Sequence, residues 1–453
     1  MHTPLSYQQH SRAVLRLGLP LIGSHIAQIS IQLTDAMMLG WYDVQALAAQ
    51  VLGGTFFFVL FIMGSGFAWA VMPMVAAAEA SGEGTQVRRV TRMGVWASLL
   101  YGLAVMPVMI WSEPLLLMLG QDPEISDLAG QYLRIAGWGV LPALVVMVLK
   151  SYLAALERTQ VVLWVTVAAV GLNVVINYAL IFGNLGMPEL GVRGAAIASL
   201  MVNIAAMLAL AVYVALVTPE HALFQRVWRP DWEAFGAVFR LGWPIGVTSL
   251  AESGLFAASS VMMGWLGTLQ LAAHGIALQV TSVTFMVHVG LSNAATVRAG
   301  QAYGRRDRAG LRDGARAAMV MSMVFAIVTV GVFLSVPEML IGVFLDPAEP
   351  ERAAVIAVGS VLLAAAALFQ LVDAGQVMAL GLLRGVQDTR VPMVIAAISY
   401  WVIGMPASYL LGFGLGWGGV GIWLGLASGL AVAAVLLMLR FWGWAGRRDT
   451  GTA

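Results

Sequence analysis

The sequence predicts an all-α integral membrane protein: twelve transmembrane helices in two six-helix lobes, related by a pseudo-twofold axis along the membrane normal. Composition is the first observation behind this. The 453 residues are 60% hydrophobic and 10% charged, whereas soluble domains carry about 25% charge. The second is an internal repeat at one unbroken offset of 224 residues. Leu17-Gly18-Leu19-Pro20 recurs as Leu241-Gly242-Trp243-Pro244, Gly40-Trp41 as Gly264-Trp265, and Leu47-Ala48-Ala49 as Leu271-Ala272-Ala273. Gly66 and Ala70 recur as Gly290 and Ala294, and such self-similarity marks a duplicated unit. The third is the charge bias of the loops.

Apolar runs between short charged loops place the spans at 14–40, 47–75, 93–118, 131–154, 161–183 and 192–217 in the first half. In the second half they fall at 240–266, 270–299, 316–341, 353–382, 391–413 and 417–441. The first run, after Arg12 and Arg16, is too long for a signal peptide, lacks a cleavage site and is repeated inside the chain. The 50 glycines suit closely packed membrane helices. The longest polar connection, 218–239, divides the chain into an N-lobe, 1–217, and a C-lobe, 240–453. With the N-terminus in the cytoplasm, 21 of 24 Lys and Arg fall at cytoplasmic ends or loops; Arg134, Arg193 and Arg352 are the exceptions. Positive residues stay inside, so both termini are expected in the cytoplasm. An even number of spans gives the halves one orientation, a parallel repeat.

Of 23 Asp and Glu, ten sit at cytoplasmic positions, ten at external ones and three within spans: Asp35, Glu252 and Asp373. A carboxylate at bilayer depth costs a few kcal/mol on insertion scales and is a functional candidate by default. No Lys or Arg lies deep in a span; Lys150 comes nearest. The interior is therefore expected to hold three acids without a fixed basic partner. Asn173 and Asn177 are four apart in span 5, on one helix face, and Asn203 lies in span 6. With Asp35 they can form a polar nest, or they can serve as interhelical hydrogen-bond glue. Glu252 and Asp373 belong to the second half. In low dielectric the charged form is disfavoured, so they can hold protons or bind a small cation through oxygens; the alternative is a pair of structural acids. Ser249, Ser253, His274, Gln279 and Gln376 are the polar candidates around them. His274 aligns with Gln50 across the repeat and reads equally as a hydrogen-bonded packing residue.

The 25 Met, with abundant Trp and Phe, provide for an adaptable apolar pocket. The chain has no cysteine, no Walker lysine loop, no HExxH and no GxSxG, which argues against ATP-driven pumping and enzymatic chemistry. No filter motif supports a channel. Two matching lobes with carboxylates at depth describe a secondary transporter.

The chain resembles the multidrug and toxic compound extrusion (MATE) family over nearly its whole length. The resemblance rests on Leu17-Gly18-Leu19-Pro20 with Asp35 and Gly40, and on Pro73-Met74-Val75-Ala76. In the second half it rests on Val297-Arg298-Ala299-Gly300-Gln301 with Gly304, and on Leu383-Arg384-Gly385 running to Asp388-Thr389-Arg390. Glu252 with Asp373 is similar to the NorM-type branch. The resemblance implies multidrug efflux: cationic aromatic compounds leave while Na+ or H+ enters, with carboxylates matching Asp35, Glu252 and Asp373 as cation-coupling residues. On the reading of the residues themselves, Asn173, Asn177, Asn203, His274 and Gln279 are the expected polar cavity contacts, and Glu252 with Asp373 is a candidate Na+ site. Members of this branch often show Ala-His-Gln early in span 8 and Tyr one turn before the span 10 Asp. This chain has Ala273-His274-Gly275 and Phe369 instead, which leaves sodium and proton coupling equally open. No cofactor is expected beyond the transported ion. The expected partners are small cationic drugs and the lipid bilayer of a bacterial inner membrane, with no nucleic acid and a monomeric chain. The competing reading is a lipid-linked oligosaccharide flippase of the same superfamily, which needs basic residues in its cavity.

Overall fold

The computed structural model describes residues 6–446. The terminal stretches 1–5 and 447–453, expected in the cytoplasm, lie outside the described residues. Among the described residues the chain is all-helical, with twelve helices long and apolar enough to cross a membrane. They are α1 (Tyr7–Tyr42), α2 (Val44–Ala80), α3 (Gly84–Ile110), α4 (Pro123–Ala155), α5 (Thr159–Phe182) and α6 (Val192–Val217), then α7 (Trp232–Leu266), α8 (Thr268–Gly304), α9 (Arg308–Ser335), α10 (Arg352–Gly385), α11 (Arg390–Gly414) and α12 (Gly418–Ala445). Six fall in each repeat, and the protein is a multi-pass membrane protein.

Several helices outrun their apolar runs because their ends are polar and capped. Asp43 opens α2 by accepting from Ala46 N at 3.0 Å. Asp122 opens α4 by accepting from Glu124 N and Ile125 N at 2.9 and 3.2 Å, with Pro123 at the first helical position. The third span, expected as one run to 118, breaks at Trp111 and restarts as a short helix, Ser112–Met118, that contains Pro114. The ninth breaks in the same way at Val336, before Pro337. A proline lacks the N–H that would continue the ladder.

The chain groups into two compact units. One is Gly23–Gly246; the other begins at Val247 and takes in the start of the chain up to Ile22. Ile22 and Gly246 are themselves 224 residues apart, so α1 and α7 change unit at equivalent positions. Glycine contacts explain this. In the first unit a Cβ on Gly66 of α2 would collide with the Gly242 carbonyl and Gly246 amide of α7. In the second, a Cβ on Gly290 of α8 would meet Ile22 of α1, and one on Gly18 would meet Leu291 at 3.2 Å. These are the small-residue contacts by which membrane helices approach backbone to backbone. Pro20 and Pro244 lie within these helices just before the change of unit.

The connection from Thr218 to Asp231 is tied down within the first unit. Arg92 of α3 donates to the carbonyls of Ala222 and Leu223 at 2.9 and 2.8 Å and to that of Gln225. Tyr152 Oη lies 2.6 Å from His221 Nδ1, and His221 Nε2 lies 3.3 Å from Glu79. Asp231 caps α7 through Ala234 N at 3.1 Å and pairs with Arg89 at 2.5 Å. The Arg89 guanidinium holds the Asp231 carboxyl below the usual carboxylate range. This tie therefore stabilises the fold at neutral pH and is lost as pH falls through that lowered value.

Arg92→Met strips three carbonyls of a charged donor, those of Leu223 (buried), Ala222 (half-buried) and Gln225 (exposed). It should lower unfolding stability by about 2 kcal/mol, read as a lower thermal midpoint in detergent together with faster proteolysis between His221 and Arg229. An unchanged midpoint and cleavage rate would show that the connection is held by packing alone.

Candidate functional site

The first polar cluster is built on α1, α5 and α6. Asp35 of α1 is buried. Asn173 and Asn177, on one face of α5, each donate Nδ2–H to Asp35 Oδ1, at 2.9 and 2.6 Å. Ser199 of α6 donates to Oδ2 at 3.1 Å, and Asn177 also donates to Asn173 Oδ1 at 3.2 Å. Tyr132 of α4 hydrogen-bonds Ser199 and Gln50 beside this carboxylate. The nest expected from the four-residue spacing is present, and three donors satisfy a charge that bilayer depth would otherwise penalise. Ser199 and Tyr132 escaped the sequence reading; the signal for Ser199 was its position four residues before Asn203. Asn203 itself is half-buried beside Gly139 and makes no hydrogen bond to the cluster among those described. An apolar hollow of about 540 Å³ opens between α1 and α5, lined by Met37, Trp41, Val174 and Tyr178.

The second cluster is built on α7, α10 and α11. Asp373 is 1% exposed and Glu252 half-buried, and the two carboxylates feel one another electrostatically. Glu252 Oε1 and Asp373 Oδ1 are buried and have no hydrogen-bond partner within the protein. Gln370, Asp373 and Gln376 recur every three residues along α10, all fully buried. Gln370 Oε1 and Nε2 and Gln376 Oε1 also lack partners. Buried polar atoms in native proteins are satisfied as a rule, so this concentration of unsatisfied oxygens marks a place that takes up a proton, a cation, water or a cationic ligand. Among the described residues no three His, Cys, Asp or Glu gather as a metal site. A cation at this pair would need amide and hydroxyl oxygens to complete its shell.

One expectation is corrected. Glu252 does have a basic neighbour. Arg384, at the end of α10, interacts electrostatically with both Glu252 and Tyr400. A long guanidinium stem can carry charge well away from its Cα, so a helix-end position does not place the charge at the surface. Lys150 donates to Gln28 Oε1 at 3.4 Å and neighbours His25. Gln28 is the repeat equivalent of Glu252.

His274 is fully buried. Its Nε2 lies 3.2 and 3.4 Å from Ser260 and Ser259, and its ring packs 5.5 Å from Trp423. Phe369 packs on Trp423 and Phe256 at 5.5 and 5.8 Å, so the position lacking a hydroxyl belongs to an aromatic cluster. Gln279 is exposed and joins neither cluster among the described hydrogen bonds. Asp35 and Ser259 are repeat equivalents, as are Gln50 and His274. The Asp35 nest thus has a neutral counterpart in the second half.

Asn177→Leu removes a donor from a buried carboxylate and should cost about 2 kcal/mol, whereas Asn203→Leu should change stability by less than about 0.5 kcal/mol. Thermal unfolding of the two variants checks this contrast. Equal losses would mean that Asp35 does not depend on the α5 amides.

The MatE family model matches residues 20–179 and 244–410. A probable multidrug resistance protein NorM of Rhizobium meliloti is 48% identical over 441 residues, covering 96% of this chain and 94% of that protein. A probable multidrug resistance protein NorM of Agrobacterium fabrum is 46% identical with the same coverage. The fold is similar to that of a MATE crystallised in complex with MaL6, with a TM-score of 0.87 at 19% identity, covering 96% of both chains. By the family model and by full-length identity to these relatives, the chain belongs to the MatE family of transporters.

Proposed function

We propose that this protein is a secondary multidrug exporter that moves cationic, partly aromatic small molecules out of a bacterial cell in exchange for Na+ or H+. Its relatives named as multidrug resistance proteins support efflux of small molecules. The observation that supports the exchange is the Glu252–Asp373 pair, with carboxylate oxygens that have no protein partner. Leaving both groups ionised and empty is costly in low dielectric. The stable states are protonated, cation-bound or drug-bound, and two ligands cannot neutralise one charge together. Arg384 offsets part of the negative charge at Glu252.

Under this reading the repeats 1–217 and 240–453, joined through 218–239, are the moving lobes. Differential occupancy of one charge by ion and drug biases their alternation. Asp35, held by Asn173, Asn177 and Ser199, is a second proton or drug site, with the neighbouring apolar hollow offering surface to an aromatic body. His274, inside its Ser259–Ser260–Trp423 cluster, supports the cavity wall. The chain acts as a monomer in the inner membrane; its termini are cytoplasmic, as the distribution of arginines implies.

Glu252→Gln and Asp373→Asn should each abolish ethidium export by proteoliposomes under an imposed sodium or proton gradient, with thermal midpoints within a few degrees of wild type. A double variant exporting at the wild-type rate would overturn the reading. Loss of folding before loss of transport would make the two residues structural acids.

A further inference from the structure

Residues 398–404 of α11 form a π-helical turn, and within it two consecutive aromatic side chains reach different helices. Tyr400 is fully buried, and its Oη accepts a hydrogen bond from Gln376 Nε2 on α10, three residues beyond Asp373. Trp401 donates its indole N–H to the Ala251 carbonyl of α7 at 3.1 Å, and a Cβ on Gly254 would lie 3.0 Å from its ring. Ala251 and Gly254 flank Glu252. The π turn thus braces the two carboxylate-bearing helices immediately beside their carboxylates. Such turns occur often at functional sites.

A tyrosine hydroxyl accepts and also donates one proton. Gln376 uses the acceptor side of Tyr400, which leaves the O–H to be donated. The charged groups that act on it electrostatically are Glu252, Asp373 and Arg384, and of these only the carboxylates can accept. On α12, packed against this turn, Arg440 is the one charged side chain among the described residues, and it is paired with Asp388 at 2.6 Å. Along α11 the remaining titratable groups are Arg390, at the helix start, and Tyr409, which is exposed. We propose that Tyr400, held by Gln376, is a positioning residue of the coupling site: its hydroxyl turns to a carboxylate of the Glu252–Asp373 pair once that carboxylate has lost its proton. The inference rests on that pair being the exchange site. A hydroxyl donor favours the charged carboxylate, and it matters most after the proton has left and before the drug arrives.

The test is ethidium binding to the full-length protein in detergent as a function of pH, with thermal midpoints alongside. In the wild type binding should strengthen as pH rises and the pair loses its proton. In Tyr400→Phe the pH of half-maximal binding should rise by about one unit, while affinity at the highest pH stays within about twofold. Gln376→Met keeps the hydroxyl but releases its anchor, and should give a smaller shift in the same direction. Trp401→Phe should leave the pH midpoint in place. If the wild type binds with a clear pH midpoint and neither Tyr400→Phe nor Gln376→Met moves it, the assignment of Tyr400 is wrong while the exchange site stands. If wild-type binding does not vary with pH, the proton-exchange reading of the pair falls, and the role of Tyr400 falls with it.

Discussion

Polar atoms in the bilayer core have no water to fall back on, and this constraint shapes both halves of the protein. The first half meets it locally. Asp35 receives hydrogen bonds from Asn173, Asn177 and Ser199, so its charge is accommodated by neutral donors. The second half leaves it partly unmet. Glu252, Gln370, Asp373 and Gln376 gather with oxygens that no protein group satisfies. A duplicated framework thus carries one site whose carboxylate is held by neutral donors and one whose carboxylates keep oxygens without a protein partner. Natural proteins retain such unsatisfied groups where function requires them.

The framework that holds these sites is set by glycine. Gly66 against Gly242 and Gly246, and Gly290 against Ile22, bring backbones into contact at repeat-equivalent places. These contacts assign the opening segments of α1 and α7 to different units from the remainder of the same helices. Gly404 and Gly429 do the same between α11 and α12, where a Cβ on either would crowd the other's backbone. That close approach accompanies the π-helical turn, which aims Tyr400 and Trp401 at two separate helices.

Much of this could be read from the sequence, and the failures have physical causes. The 224-residue offset already contained the equivalence of Gly18 with Gly242 and of Gly66 with Gly290, and at Gly66, Gly242 and Gly290 a Cβ would meet neighbouring backbone. The spacing of Asn173 and Asn177 identified one face, and the structure turns that face to Asp35. Ser199 was hidden among many small residues in apolar helices. Arg384 was misjudged because span boundaries locate a Cα and say nothing about where a long side chain carries its charge. Gln279 shares a helix with His274 but not a face, being five residues on rather than three, four or seven. The π turn left no mark in composition or periodicity, since one widened turn within an apolar span alters neither.

The central claim is that drug and coupling ion compete for the Glu252–Asp373 charge. Its most direct measurement is the number of protons released when ethidium binds to purified protein in weakly buffered detergent solution, repeated at increasing sodium. The account predicts proton release near neutral pH, or release replaced by sodium-dependent weakening of binding, and neither effect in the Glu252→Gln/Asp373→Asn variant. Tight ethidium binding to the wild type with no proton release and no sensitivity to sodium would contradict it.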